Sequence, residues 1–260
     1  MRRIDVNTDT GESFGRWRLG EDESLLTYVS SANVACGMHA GDPVVMERTV
    51  SACAANGVAV GAHPGFPDLQ GFGRRQMKMT PSEVEAYVIY QVGALRAFTE
   101  SRGLGLTHVK AHGSLYNMAS VDDGIALAIA RGVARSTRKG ENLVLVGLAG
   151  STQLWAAEKT GVPAAPEGFC DRAYGSDGNL VPRGVQGSVI TGLDQVAARA
   201  VSMVREGTLT SIDGKPVNLK VDTICIHSDT PGATEIARAV NQALKAAGIE
   251  VVPLHEVLGL

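Results

Sequence analysis

Aromatic residues make up only 5% of this sequence although 44% of it is hydrophobic, so any core must be filled by aliphatic and small side chains. No run approaches the roughly 18 apolar residues that read as a membrane-spanning helix, which argues against a membrane partner. Basic residues cluster no further than pairs such as Arg74-Arg75, and the net charge is -3. Long-range attraction to nucleic acid or to an anionic bilayer is therefore not expected, whereas local anion binding stays open. The four cysteines, Cys36, Cys53, Cys170 and Cys225, form no CxxC pair and no zinc-type spacing, so they read as reduced thiols of a cytoplasmic protein. The opening MRRIDVNTDTGE carries two arginines without an apolar stretch after them, and no secretory signal is expected from it. GxGxxG, GxxxxGK[ST] and HExxH are all missing, which removes the short signatures of dinucleotide, P-loop and zinc-protease sites.

What the chain does contain is an alternation of short apolar runs with helical patterns. Strands are predicted at Ile4–Val6, Ala32–Ala35, Val58–Gly61, Thr107–Lys110, Leu143–Val146, Ser188–Ile190, Thr223–Ile226 and Glu250–Val252. Between them, Val84, Val88, Leu95 and Phe98 share one helix face, and Ile236, Val240, Leu244 and Ala247 share another. Asp42-Pro43, Thr80-Pro81 and Thr230-Pro231 each put a capping side chain before a proline suited to the first helical turn. Thr80 and Glu83 add a capping-box pattern, and Gly57, Gly103 and Gly248 stand where helices should stop. Repeated βα units without a break in composition predict one α/β domain over residues 1–260. A closed parallel barrel is favoured over an open sheet, because the first βα turn is acidic and lacks the glycine fingerprint of nucleotide-binding sheets. Residues 163–187 carry several prolines and glycines and are read as an irregular loop lying over a pocket.

Unusual polar residues fall where strands should end. Asn7, Asp9 and Glu12 follow the first strand, His39 the second, His63 the third, and Lys110 with His112 the fourth. His227 and Asp229 follow the strand of Thr223–Ile226, and Glu167 and Asp171 lie in the irregular segment. All strands of a parallel barrel present their carboxyl ends on one face, so these acids, bases and cations predict an active site there. Asp42 is explained by helix capping, and His108 and His255 are read as structural or surface residues. Asp9, His39, His63 and His112 could hold a divalent cation, but no short metal signature supports a permanent metal. Cys36 is a candidate nucleophile, with a buried inert thiol as the commoner case. Arg74 and Arg75 could clamp a carboxylate or phosphate, or could simply be solvated.

The segments NTDTGESFG, NVACGMHAGDP, GAHPGFPDLQGFGRRQM, VKAHGSLYN, EGFCDRAYGSDGNLVPR and HSDTPGA resemble, in this order, the blocks of the LamB/YcsF family over roughly residues 7–233. The resemblance implies a seven-stranded β/α barrel of the glycoside hydrolase/deacetylase type. It also implies one subunit of an ATP-dependent 5-oxoprolinase, acting with subunits B and C to open 5-oxoproline to glutamate, with ATP as co-substrate and Mg²⁺ accompanying it. Thr8, Thr10, Ala111 and Ser228 depart from the family pattern, which has Cys, Leu, Pro and Gly there. Ala111 lacks the fixed φ of proline, and Ser228 adds a side chain where bare backbone could approach a ligand.

On this reading Lys110 and Arg74 or Arg75 meet the substrate carboxylate or phosphate. Asp9 or Asp229 is the general base, and His39, His63 or His112 stabilises charge or donates a proton. Asn7, Glu12, Glu167, Asp171 and His227 complete the binding set. The rival readings are a metal-dependent N-acetyl sugar deacetylase and a non-catalytic substrate-binding subunit. Low charge and many small helix residues also suit a homo-oligomer.

Overall fold

The computed structural model describes residues 2–20, 22–230 and 232–260. The first half runs β1 (Arg2–Thr10), α1 (Asp22–Leu25), β2 (Ser31–Ala35), α2 (Pro43–Asn56), β3 (Ala59–His63), α3 (Pro81–Ser101), β4 (Leu106–Lys110), α4 (Gly113–Ala119) and α5 (Asp123–Ser136). The second half runs β5 (Val144–Leu148), α6 (Thr152–Thr160), β6 (Ala164–Phe169), α7 (Leu193–Arg205), β7 (Thr208–Thr210), β8 (Pro216–Asn218), β9 (Thr223–His227), α8 (Ala233–Ala246), β10 (Ile249–Val251) and α9 (Leu254–Leu258).

Seven parallel strands close into a barrel in the order β1-β2-β3-β4-β5-β6-β9, with β9 pairing back onto β1. Register brings the strand ends level: Asp9 pairs with Asn33 on one side and with His227 on the other. β10 lies outside this ring and pairs only with the first residues of β1, Arg2 to Ile4. The eighth predicted strand is thus peripheral.

Two strand expectations need correction. Ser188–Ile190 is not a strand; its ladder contact is a single bridge from Arg172 to Val189. The sixth barrel strand is instead Ala164–Phe169, inside the segment read as irregular. Pro163 and Pro166 disguised it, since proline normally breaks a ladder. The Pro166 carbonyl accepts from Asp222 N, one residue before β9 begins, so the missing N–H falls at the very end of that ladder. The antiparallel pair β7–β8 was not expected either.

Helix starts follow their chemistry. The Asp42 side chain accepts from Val44 N and Val45 N, and Thr80 with Glu83 forms the full reciprocal box. Gly57 closes α2 in the left-handed conformation at φ 66°. The third proposed start involves Pro231, which lies outside the described residues; α8 is described from Ala233. Val84, Val88 and Leu95 of α3 are buried as predicted, as are Ile236, Val240 and Leu244 of α8.

The main core lies between barrel and helices and is largely aliphatic, with Ile4, Leu25, Leu95, Ile129, Leu145 and Ile224 among its fully buried side chains. Burial of each such residue contributes roughly 1.5–3 kcal/mol, so scarcity of aromatics costs the fold little. A second apolar cluster joins Leu254 and Leu258 of α9 to Val144, Val146 and Ala165. Val144 and Val146 alternate with Leu145 of the main core and share a strand face with Leu148, which lines the central cavity. Helix α9 therefore plugs the amino-terminal end of the barrel, and the functional site is left to the opposite end.

Candidate active site at the carboxyl ends of the strands

Barrel interiors of this kind are usually filled by branched apolar side chains. Here a polar lattice takes their place. Asp5, Asn7 and Asp9 stand two residues apart on β1, so all three point the same way. Asp5 accepts from Ser30 and Ser31 at 2.7 and 2.6 Å. Asn7 donates to Thr223 and to Glu167, and its Oδ1 accepts from Asn33 at 2.7 Å. His108 Nε2 meets Asn33 Oδ1 at 2.8 Å, so this histidine is a buried interior residue. Gly61 makes room for it: a Cβ there would overlap the His108 ring.

Lys110 is the centre of the lattice. Its ammonium lies 2.8 Å from Glu167 Oε1, 3.0 Å from Asp9 Oδ1 and 3.0 Å from Cys225 Sγ, with 3% of the side chain exposed. Burial pulls the ammonium down, but Asp9, Cys225 and Glu167 outweigh it and hold Lys110 well above its ordinary pKa. Burial likewise raises Asp9, yet the neighbouring His63 ring and the Lys110 ammonium leave it well below the usual carboxylate range. Glu167 is not a loop residue as predicted; it sits in β6, fully buried, and also accepts from Tyr116 Oη at 2.8 Å.

Above the lattice His39, His63 and His112 gather around Glu12. His63 Nε2 and His112 Nδ1 are 3.0 Å apart, and the His39 and His112 rings stack at 3.6 Å. Glu12 Oε1 lies 3.3 Å from His112 Nδ1 and 3.4 Å from His39 Nε2. Burial, with the His112 ring stacked beside it, pushes His39 down to about 3, so it is neutral. These four residues form one group able to hold a metal ion; Asp9, expected among the ligands, groups instead with Cys225 and His227. Cys36, the candidate nucleophile, is a buried thiol raised to about 12 by desolvation, which makes it inert.

The main cavity, about 590 Å³, opens over Asp9, His63, Lys110, His112, Phe169 and His227. His227 stacks on Phe169 at 5.3 Å and its Nδ1 meets Asp171 Oδ2 at 2.8 Å. Burial would raise Asp171, but His227 and the two arginines Arg172 and Arg183 keep it low. The excursion after β6 does cover the cavity, through Leu180, Val181, Pro182 and Arg183. It is pinned by Arg172, which donates to the carbonyls of Val181 and Ser188.

Arg74 lines the cavity and pairs with Asp229 at 2.5 Å. Asp229 itself lines a second cavity of about 600 Å³, with Glu12, His39, Phe72 and Trp17. Arg75 does not reach either cavity; it is tied to Asp68 in its own loop. The sequence reading missed Tyr116, Arg172, Arg183, Asn33 and Cys225. A period-two polar pattern within buried strands, Asp5-x-Asn7-x-Asp9 and His108-x-Lys110, was the available signal for an inward-facing lattice. Of the four departures from the family pattern, Ala111 alone lines the main cavity.

Comparison with known proteins fits this arrangement. The LamB/YcsF family model matches residues 4–259. The chain belongs to the LamB/YcsF family. The 5-oxoprolinase A subunit of Pyrococcus abyssi is 49% identical over 257 residues, covering 99% of this chain and 100% of its own. Its counterpart from Heliobacterium modesticaldum is 52% identical over 249 residues, covering 96% and 97%. The crystal structure of a lactam utilization protein from Thermus thermophilus superposes with a TM-score of 0.90 at 48% identity, over 96% of this chain and 99% of that one.

Proposed function

We propose that this LamB/YcsF chain hydrolyses a cyclic amide, 5-oxoproline or a close relative, as the A subunit of an ATP-dependent 5-oxoprolinase. The observation that carries the reading is the cavity itself: an ionised Asp9 at its floor, a His227–Asp171 pair on its wall and Arg74, Arg172 and Arg183 around it. Support comes from relatives of near-equal length that bear the name of the 5-oxoprolinase A subunit, and from the lactam utilization protein that shares the fold.

An unactivated lactam resists neutral water, so the reaction needs an electrophilic ring carbon, a positioned water and a proton path to the leaving nitrogen. Activation at the expense of ATP, with its Mg²⁺, belongs in this reading to the assembled complex with subunits B and C. The arginines receive the carboxylate of the substrate and any phosphate on the activated ring. Asp171 fixes the tautomer of His227, with Nδ1–H donated to the carboxylate, so that Nε2 takes a proton from water and returns it to the ring nitrogen. Asp9, too acidic for efficient general-base work, orients the water and stabilises charge. Asp229 is replaced in the base role because it faces the second cavity. The buried reduced thiols and the use of ATP favour a cytoplasmic reaction, carried out on one barrel domain spanning residues 1–260.

The test is glutamate formation from 5-oxoproline and ATP, with this chain alone and with its partner subunits. Turnover is expected only with partners, and His227→Ala should lower kcat about 100-fold or more. No glutamate from partners that are competent with a homologous A subunit overturns the substrate. Unchanged kcat in His227→Ala overturns the proton path.

A further inference from the structure

The histidine cluster has an imbalance that no group among the described residues resolves. His63 Nδ1 lies 2.7 Å from the Lys110 carbonyl, which can only accept, so the proton is on Nδ1 and Nε2 carries the lone pair. His112 Nε2 lies 2.8 Å from the Phe72 carbonyl, so there the lone pair is on Nδ1. These two lone pairs face each other across 3.0 Å. Glu12 Oε1, a third acceptor, stands 3.3 Å from His112 Nδ1, and Asp9 Oδ2 stands 3.4 Å from His63 Nε2. Glu12 Oε1 and both ring nitrogens of His39 are buried without any hydrogen-bond partner. His63 Nε2, His112 Nδ1 and Glu12 Oε1 thus converge as acceptors, and the single N–H of neutral His39 can serve only one of them.

A single proton shared by His63 and His112 would quiet one contact and leave Glu12 and His39 orphaned. A metal ion satisfies all of them. Ligands 2.0–2.1 Å from a tetrahedral ion stand about 3.3 Å apart, the edge of the tetrahedron. The contacts here are 3.0, 3.3 and 3.4 Å, and all four ligand atoms lie within 4.8 Å of one another. The N–H groups donated to backbone carbonyls are the orienting bonds that ligating histidines show.

We propose that Glu12, His39, His63 and His112 form a tetrahedral site for a divalent transition-metal ion, with zinc the best fit to three imidazoles and one carboxylate. Such a donor set disfavours Mg²⁺ and Ca²⁺, which want oxygen ligands. His39 and His112 splay out of their stack to close on the ion. Glu12 comes from the segment after β1, His39 from after β2, His63 from the end of β3 and His112 from after β4, which is why no short motif announced the site. The ion sits in the wall between the two cavities: His63 and His112 face the main one, Glu12 and His39 the other. The inference does not rest on the lactam reading and is tested without turnover.

The whole chain, stripped with chelator and dialysed, is titrated with Zn²⁺ by calorimetry and analysed for bound metal; a parallel sample takes Co²⁺ for visible spectroscopy. About one ion per chain is expected, with cobalt bands of tetrahedral intensity and no thiolate charge-transfer band. Glu12→Gln and His112→Ala should each weaken binding by about 100-fold or more, beyond the loss typical of an outer-shell change. A thiolate band would assign the ion to Asp9, Cys225 and His227 and overturn the proposal. So would no uptake from micromolar zinc, or uptake that survives both substitutions. If either variant fails to fold, the wild-type cobalt spectrum still decides.

Discussion

Replacing Lys110 by Met tests whether the barrel interior is held together by charge. Among the described residues the ammonium is the only cation touching Glu167, whose carboxylate is fully buried, and it also neutralises Asp9 from 3.0 Å. Methionine fills nearly the same volume, so packing is conserved and the loss is electrostatic. Glu167 would keep its bonds from Asn7 and Tyr116, and Asp9 its bond from Asn33, but neither would keep a lysine counter-charge. Removing one partner of a buried ion pair costs about 3–5 kcal/mol. At roughly 2–4 °C per kcal/mol for a chain of this size, the melting point should fall by about 10 °C. Glu167→Gln on top of Lys110→Met removes an uncompensated charge and should restore half of the loss or more. Urea unfolding at pH 8 of the wild type, both singles and the double variant measures this coupling. A loss below about 1 kcal/mol for Lys110→Met, or a double variant weaker than the single, refutes the charge argument.

Gly61→Ala should destabilise by about 3 kcal/mol or prevent folding, because the new methyl overlaps the His108 ring on a rigid strand; adding His108→Ala should recover soluble protein, and failure to do so would point to backbone strain instead. Asp5 is raised by burial from 3.8 to about 6, against hydrogen bonds from Ser31, Thr223 and Ser30 that oppose the shift. Between those values the folded chain keeps a proton that the unfolded chain has released, so this group's contribution is most favourable below about pH 4 and declines by about 3 kcal/mol as pH rises through 6. The stability difference between wild type and Asp5→Asn, followed in urea from pH 4 to 7, should change by that amount; a flat difference disproves it. Arg74→Ala breaks a part-exposed pair with Asp229 and should cost under about 1 kcal/mol of stability. It should nevertheless raise KM for an anionic substrate several-fold, and an unchanged KM would remove Arg74 from the binding set.

The barrel and its active face were readable because parallel strands announce themselves as apolar runs and because polar residues after them stood out. Asn7, Asp9, His63, Lys110, His112 and His227 all come together as that pattern implied. Legibility failed where a local rule was overridden by position. Pro166 can sit in a barrel strand because its missing donor falls at a ladder end, and without that strand Glu167 was taken for a loop residue. His108 was read only as a structural or surface residue, although its place two residues before Lys110 puts it on the same inner face, where it is structural. Arg74 and Arg75 are adjacent in sequence and diverge in space, since the turn carries one toward the cavity and the other back to Asp68. Glu12 was noticed, but its partnership with three histidines depends on where four successive barrel strands end, which no spacing along the chain encodes.

Closure of the ring by β9 against β1 has a consequence for how the protein is made. Asp9, Lys110, Glu167 and Cys225 meet only when the strand beginning at Thr223 has reached β1, so the site spans nearly the whole length of the message. During translation the first strand waits, with its inward acids still hydrated, until more than two hundred residues have followed it out of the ribosome. Contacts so distant in sequence make for slow folding. A stop codon placed before the seventh barrel strand would leave no weakened enzyme behind, only an open sheet whose inner charges, Lys110 among them, lack the enclosure that pairs them.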